Sequence, residues 1–184
     1  RVHNGVIAQV EVLPAWTATA LLEHLMAKDA SPFVVIADEL AYEHNLGAIL
    51  RSCLGFGVDG LFLPSRRGAG ISPVVQRVSM GAVEEVPIVR ESLYATLKQV
   101  RKAGIRVVGA DMGGRPCSEL DMTGALALVM GSEGAGLSEK VRERCDYIVS
   151  IPLAGGLESL NVSVAAALLM YEKRRQDGWF MPPV

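Results

Sequence analysis

Three stretches of the chain set polar residues at the ends of apolar runs, in positions suited to binding or reacting with a ligand. The first, "HNLGAILRSCLGFG" at 44–57, opens on Asn45, a good helix cap, and buries Ile49, Leu50, Cys53 and Leu54 on one face. Arg51 then stands inside a mostly apolar helix. Helix geometry sets it about 240° round from Asn45 and about 20° from His44, so the helix alone does not pair Asn45 with Arg51. The second, "LVMGSEGAGLS" at 128–138, is a strand running into a glycine-rich turn that contains Glu133, a helix-start acid or a site acid. Its order G-x-x-G-x-G reverses the dinucleotide fingerprint, which argues against a nucleotide-dependent oxidoreductase. What it offers is a flexible turn at the carboxyl end of a strand, where α/β sheets bind ligands. The third, "IPLAGGLESLNVSVAAALLMYEKRR" at 151–175, places Gly155-Gly156, Ser159 and Asn161 before the most apolar helix of the chain. Ser and Asn there can cap free N–H groups, and Lys173, Arg174 and Arg175 sit where the helix dipole favours cations. Val164–Tyr171 is apolar on every side, which predicts a buried helix body.

The elements that must position these residues alternate. Apolar runs predict strands at Phe33–Ala37, Gly60–Leu63, Val86–Val89, Ile105–Ala110, Ala125–Met130 and Tyr147–Ile151. They are continuous rather than alternating in polarity, as strands covered on both faces are. Helical patterns fall between them, near 45–56, 73–83, 91–103, 138–144 and 160–175. This rhythm predicts an α/β fold, a parallel sheet with helices on both faces. Residues 1–31 fit less well: "HNGVIAQVEV" reads as an edge strand and Thr17–Lys28 as an amphipathic helix, together a lead-in to the domain 32–184.

Bulk properties exclude several classes. The chain has 184 residues, half of them hydrophobic, which suits one α/β domain. The longest stretch without Asp, Glu, Lys or Arg, Ser159–Tyr171, is too short to cross a bilayer. No basic-then-apolar leader opens the sequence, so a cytoplasmic protein is expected. Cys53, Cys117 and Cys145 are scattered, without zinc-type spacing, so reduced thiols and no metal are expected. A net charge of −2 argues against holding a polyanion by bulk electrostatics. Contact with RNA would be local, at Arg66-Arg67, Arg101-Lys102 with Arg106, or Lys173–Arg175.

Taken as an ordered set, "N-x-G-A-I-x-R", "MGSEGAGLS" and "IPLAGG-x-x-SLNVSVAAA" resemble the three motifs of the SpoU/TrmH family of RNA 2′-O-ribose methyltransferases, in the SPOUT superfamily. The likeness spans about 32–175 and is greatest to the large-subunit (23S) rRNA guanosine methyltransferases, in which a segment like "HNGVIAQV" joins an RNA-binding amino-terminal domain to the catalytic one. The resemblance implies a carboxyl-terminal trefoil knot, S-adenosylmethionine as cofactor, an RNA substrate (rRNA foremost, tRNA as the alternative) and a homodimer. It implies cofactor contacts at Met130, Gly131, Ile151, Pro152, Leu153 and Leu160, and a catalytic group of Asn45, Arg51, Glu133, Ser159 and Asn161. In the family the arginine is credited with activating the hydroxyl. A guanidinium is a poor base near neutral pH, so a phosphate clamp that stabilises a developing alkoxide is the physically preferred role for Arg51. A knotted dimeric RNA-binding module without turnover is the non-catalytic alternative.

Overall fold

A computed structural model of the chain describes residues 16–28, 31–66, 68–132 and 134–179. The edge strand expected within 3–12 lies outside the described residues, as do Arg67 and Glu133. Six strands, β1 (Phe33–Ala37), β2 (Gly60–Pro64), β3 (Ile88–Glu91), β4 (Arg106–Pro116), β5 (Leu126–Met130) and β6 (Tyr147–Ser150), form one sheet in the order β3-β2-β1-β5-β4-β6. Every pairing is parallel. The helices are α1 (Ala18–Lys28), α2 (Glu43–Gly55), α3 (Pro73–Val78), α4 (Ala82–Glu85), α5 (Leu93–Lys102), α6 (Glu139–Arg142) and α7 (Val162–Gln176).

The continuous apolar strands have the cause expected of them. In β1, Phe33, Val35 and Ala37 point into a core completed by α2, α3, α4 and α7, whereas Val34 and Ile36 point into a second core with α1, α5 and α6. A strand covered on both faces has no position at which a polar side chain is solvated, so none is polar. Leu21, Leu22 and Leu25 of α1 are buried in the second core, while Met26, expected on the same face, is exposed.

Boundaries depart from the sequence-based expectation where the backbone is unusual. The helix expected at 73–83 is two helices, because Met80 and Gly81 both adopt positive φ, 53° and 91°, and interrupt the hydrogen-bond ladder. The third strand begins at Ile88 rather than Val86, since Val86 ends α4 and Pro87 follows. β4 runs past Ala110 to Pro116, with a register shift against β6 between Ala110 and Arg115. The helix body at 164–171 is not buried on every side. Ala166, Leu169 and Met170 are covered, but Val164, Leu168 and Tyr171 are 48, 44 and 55% exposed.

The order of the strands also locates a crevice. Chain succession moves outward from β1 to β2 and β3, then resumes on the other side with β4 and β5. Neighbouring connections therefore part at the carboxyl ends of β1 and β5, where open α/β sheets bind ligands. The register brings Ala37, Met130 and Ala110 side by side at that edge.

Candidate functional site

A cavity of about 740 Å³ opens at this edge. Its floor is strand ends: Ala110 of β4, Met130 of β5, and Val149 and Ser150 of β6. One wall is the turn Gly131–Gly136, another is the segment from Ile151 to Asn161, and the last is α7 through Val162, Ala165 and Leu169. Of the residues implied as cofactor contacts, Met130, Gly131, Ile151, Leu153 and Leu160 line it, while Pro152 is exposed and outside the lining. Asn45, Ser159 and Asn161 of the catalytic group line it as well.

The glycine turn can approach so closely because it carries no side chains at two points. A Cβ on Gly131 would lie 2.3 Å from the carbonyl carbon of Gly136, so only hydrogen fits there. Ser132 and Gly136 exchange backbone hydrogen bonds of 3.0 and 3.1 Å, and the Ser132 hydroxyl donates to the Gly136 carbonyl at 3.2 Å. The result is a bridge between Ser132 and Gly136 at the wall of the cavity.

Asn161 is the N-cap of α7: its Oδ1 accepts from the Ser163 N–H at 2.9 Å and from the Ser163 hydroxyl at 2.7 Å. Its Nδ2 donates to Oδ1 of Asn45 at 3.0 Å. Asn45 is not a cap, as its sequence position suggested. Tyr42 precedes the first turn of α2 without a side-chain cap, and Asn45 lies inside the helix. The reason is tertiary: α2 starts two residues earlier than expected, which turns Asn45 toward the start of α7.

Arg51 sits on a different side of α2. It is exposed and lines a second groove of about 540 Å³ with Ala48, Ser52, Phe56 and Val78, facing Val164, Leu168 and Tyr171 of α7. Asn45 and Arg51 thus open onto different cavities, in keeping with their wide angular separation on the helix. Glu133 lies outside the described residues.

In two of the three basic patches most of the cations are engaged within the fold. Lys173 is fully buried, its Nζ donating to both carboxylate oxygens of Asp177 at 2.8 and 2.7 Å and to the Gly124 carbonyl at 2.7 Å. Burial pulls its ammonium below the usual lysine range, against the opposing pull of Asp177. Arg174 donates to the carbonyls of Phe56 and Gly57, and Arg175 pairs with Glu172. Arg101 is held by Asp146 and Arg106 by the carbonyls of Asp121 and Thr123.

Sequence reasoning missed the β4 contribution to the cavity, Asp111, Met112 and Gly113. The signal was the glycine pair Gly113-Gly114 directly after an apolar strand, which reads as a loop unless the strand is known to resume beyond it.

The profile of the SpoU rRNA Methylase family matches residues 32–171. The 23S rRNA (guanosine-2′-O-)-methyltransferase RlmB of Coxiella burnetii is 41% identical over 176 residues, 95% of this chain and 70% of the relative. The putative TrmH family tRNA/rRNA methyltransferase YacO of Bacillus subtilis is 42% identical, over 95% of this chain and 71% of the relative. Among solved structures, the SpoU methyltransferase AviRb of Streptomyces viridochromogenes in complex with the cofactor AdoMet superposes with a TM-score of 0.75 at 35% identity, over 80% of this chain and 61% of that one. The chain belongs to the SpoU rRNA Methylase family of RNA 2′-O-methyltransferases, whose methyl donor is S-adenosylmethionine.

Proposed function

We propose that this chain carries the catalytic centre for methylation of a ribose 2′-hydroxyl in RNA, a guanosine of 23S rRNA foremost, with S-adenosylmethionine held in the larger cavity. The observation that carries the reading is the lining of that cavity: five of the six expected cofactor contacts with Asn45, Ser159 and Asn161 at one strand edge. The residues fit the group. A volume of about 740 Å³ suits a cofactor of this size, and small-molecule sites span about 300–1,000 Å³. Leu153, Leu160 and Leu169 supply apolar wall, and the bare backbone of the glycine turn supplies polar groups at close range.

When bound, the cofactor supplies an electrophilic methyl group on a sulfonium. The chain's own residues then have two tasks: to align the attacking oxygen and to manage its proton. Asn45 and Asn161, joined by their hydrogen bond, hold the lip of the cavity where the ribose enters. Ser159, on the same segment, offers a hydroxyl to the ribose, and Glu133 in the glycine turn supports the site. Arg51, in the neighbouring groove, takes the phosphate of the same nucleotide and stabilises charge developing on the oxygen.

The exposed Val164, Leu168 and Tyr171 of α7, with the exposed Leu54 of α2, support a homodimer built around α7. The carboxyl-terminal segment is a trefoil knot. In its support, residues 151–161 return from β6, at the edge of the sheet, past the glycine turn to α7, which packs on α2. A crystal structure whose trace simplifies to an unknotted chain would remove the knot. Residues 1–31 link the domain 32–184 to RNA-recognition sequence, and the protein acts in the cytoplasm.

The test is methyl transfer from labelled S-adenosylmethionine to 23S rRNA and tRNA transcripts, followed by mapping of the ribose-methylated nucleotide. One guanosine in the rRNA is the expected result. Transfer to tRNA alone would select the family's other substrate class, and cofactor binding without transfer to either RNA would favour a binding module.

A further inference from the structure

β4 breaks its pairing with β6 for four residues, and the break aims a carboxylate. Pairing holds from Val108 to Ala110 and resumes only at Arg115 and Pro116. Gly113 takes φ 72°, and a Cβ on Gly114 would lie 2.7 Å from the Val149 carbonyl carbon, so the bulge depends on both glycines. Bulges of this kind redirect a side chain. Here the redirected residue is Asp111, which lines the larger cavity.

Both oxygens of Asp111 are engaged. Oδ1 accepts from the Met112 N–H at 2.7 Å and lies 3.2 Å from the position a Cβ on Gly136 would occupy. Oδ2 accepts from Nη1 of Arg142 at 2.6 Å, and the two side chains are 19 and 35% exposed. Arg142 belongs to α6, the helix that follows the glycine turn. One carboxylate therefore lies against the closing end of the turn at Gly136 and pairs with the helix at its exit.

We infer that the Asp111–Arg142 pair is a strap that holds the Gly131–Gly136 turn in its cofactor-binding shape, making Asp111 and Arg142 positioning residues for the methyl donor. The inference rests on the reading of the larger cavity as the S-adenosylmethionine site. The turn is closed on itself by Ser132 and Gly136, and the Asp111 carboxylate lies against it at Gly136. Loss of the strap leaves the hairpin intact and lets it shift as a unit. Cofactor affinity then falls, while Arg51 and its groove are untouched.

The experiment is calorimetric titration of S-adenosylmethionine into wild type, Asp111→Asn, Arg142→Gln and the double variant, with steady-state kinetics and thermal unfolding of each. Both single variants should weaken the cofactor about tenfold, and the double should be no weaker than either, since contacting residues are not additive. The Michaelis constant for the cofactor should rise while kcat at saturation and the RNA Michaelis constant hold. Arg142→Lys should recover part of the affinity. Should Asp111→Asn fail to fold, Arg142→Gln, on the more exposed side of the pair, carries the same test. Unchanged affinity in a folded single variant, or effects that multiply in the double, would overturn the strap. Failure of the wild type to bind the cofactor would instead overturn the reading of the cavity.

Discussion

At the scale of single residues, Asn161 does two things with one side chain, and they can be separated. Its oxygen caps α7, while its amide nitrogen reaches Asn45. Asn161→Asp keeps the acceptor and loses the donor, so thermal stability should hold while methyl transfer falls at least tenfold. Asn161→Ala loses both and should also cost about 1 kcal/mol of stability, the worth of a cap. Equal activity in the two variants' wild-type background and in Asn161→Asp would detach the Asn45 contact from function. Arg51 yields a second prediction. As a phosphate and alkoxide clamp it should leave cofactor affinity unchanged on mutation to Ala and lower kcat by about 10²–10³, with Arg51→Lys recovering only part because the bidentate fork is lost. Single-turnover rates between about pH 7 and 9 should show no break due to this residue, since guanidinium stays charged. The cysteines supply a pH test independent of catalysis. Burial, then the charge of Asp146, pushes the Cys145 thiol up to about 11; burial also raises Cys53 and Cys117. Only the thiolate reacts, so at pH 8 Cys145 should be roughly 10⁻³ ionised and slow toward iodoacetamide. Its rate should climb about tenfold per pH unit toward pH 10, and denaturant should remove the protection. Mass spectrometry of alkylated peptides reads all three sites at once.

At the scale of elements, the glycine turn and the end of α7 are the two places where a single change should propagate. Gly131→Ala sets a methyl against backbone atoms of Gly136, which cannot rotate away as a side chain would. The turn must open, with an expected cost of about 1–3 kcal/mol from overpacking and the loss of most cofactor binding. Thermal unfolding with and without cofactor checks it, because the ligand-induced stabilisation should vanish. Lys173 is the other place. A buried ammonium held by Asp177 and a carbonyl is costly to assemble, yet removing one partner strands the other. Lys173→Ala should therefore destabilise by about 3–5 kcal/mol, and Lys173→Met paired with Asp177→Leu by much less. Denaturant titration decides between them. These residues looked like an RNA-binding patch in the sequence; in the fold they rivet α7 to the loop at Gly124 and to the carbonyls of Phe56 and Gly57.

At the scale of the whole molecule, two exposed surfaces await partners: the apolar stripe of α7 and the mouth of the larger cavity. Leu168→Glu places a charge in the middle of that stripe and should convert a dimer at tens of micromolar to a monomer, read by light scattering. A wild-type chain that is already monomeric would remove the dimer proposal. RNA affinity of the chain alone should be weak, because its net charge is −2 and most cations of two of its basic patches are paired within the fold. Fusion to the part of the Coxiella relative that this chain does not span should tighten RNA binding and steepen its salt dependence.

The chain's local patterns determined the parallel sheet, the covering of both its faces and the three motif stretches, because each depends on neighbours within one or two turns of chain. Continuous apolar strands such as Phe33–Ala37 have only one stable setting. The Ser-Asn step before the apolar helix was legible as a cap, and Asn161 is that cap. What residues distant in sequence do to one another was decided only in three dimensions. Asn45 is 116 residues from Asn161 and meets it because α2 and α7 cross. Asp111 reaches the cavity because a bulge in β4 turns it there, and Arg51 lines a groove to which Asn45 does not contribute. The apolar face of α7 and the burial of Lys173 belong to this second kind. A helix that is hydrophobic all round does not specify which side its own fold will cover, and a charge is buried only where distant groups supply its hydrogen bonds.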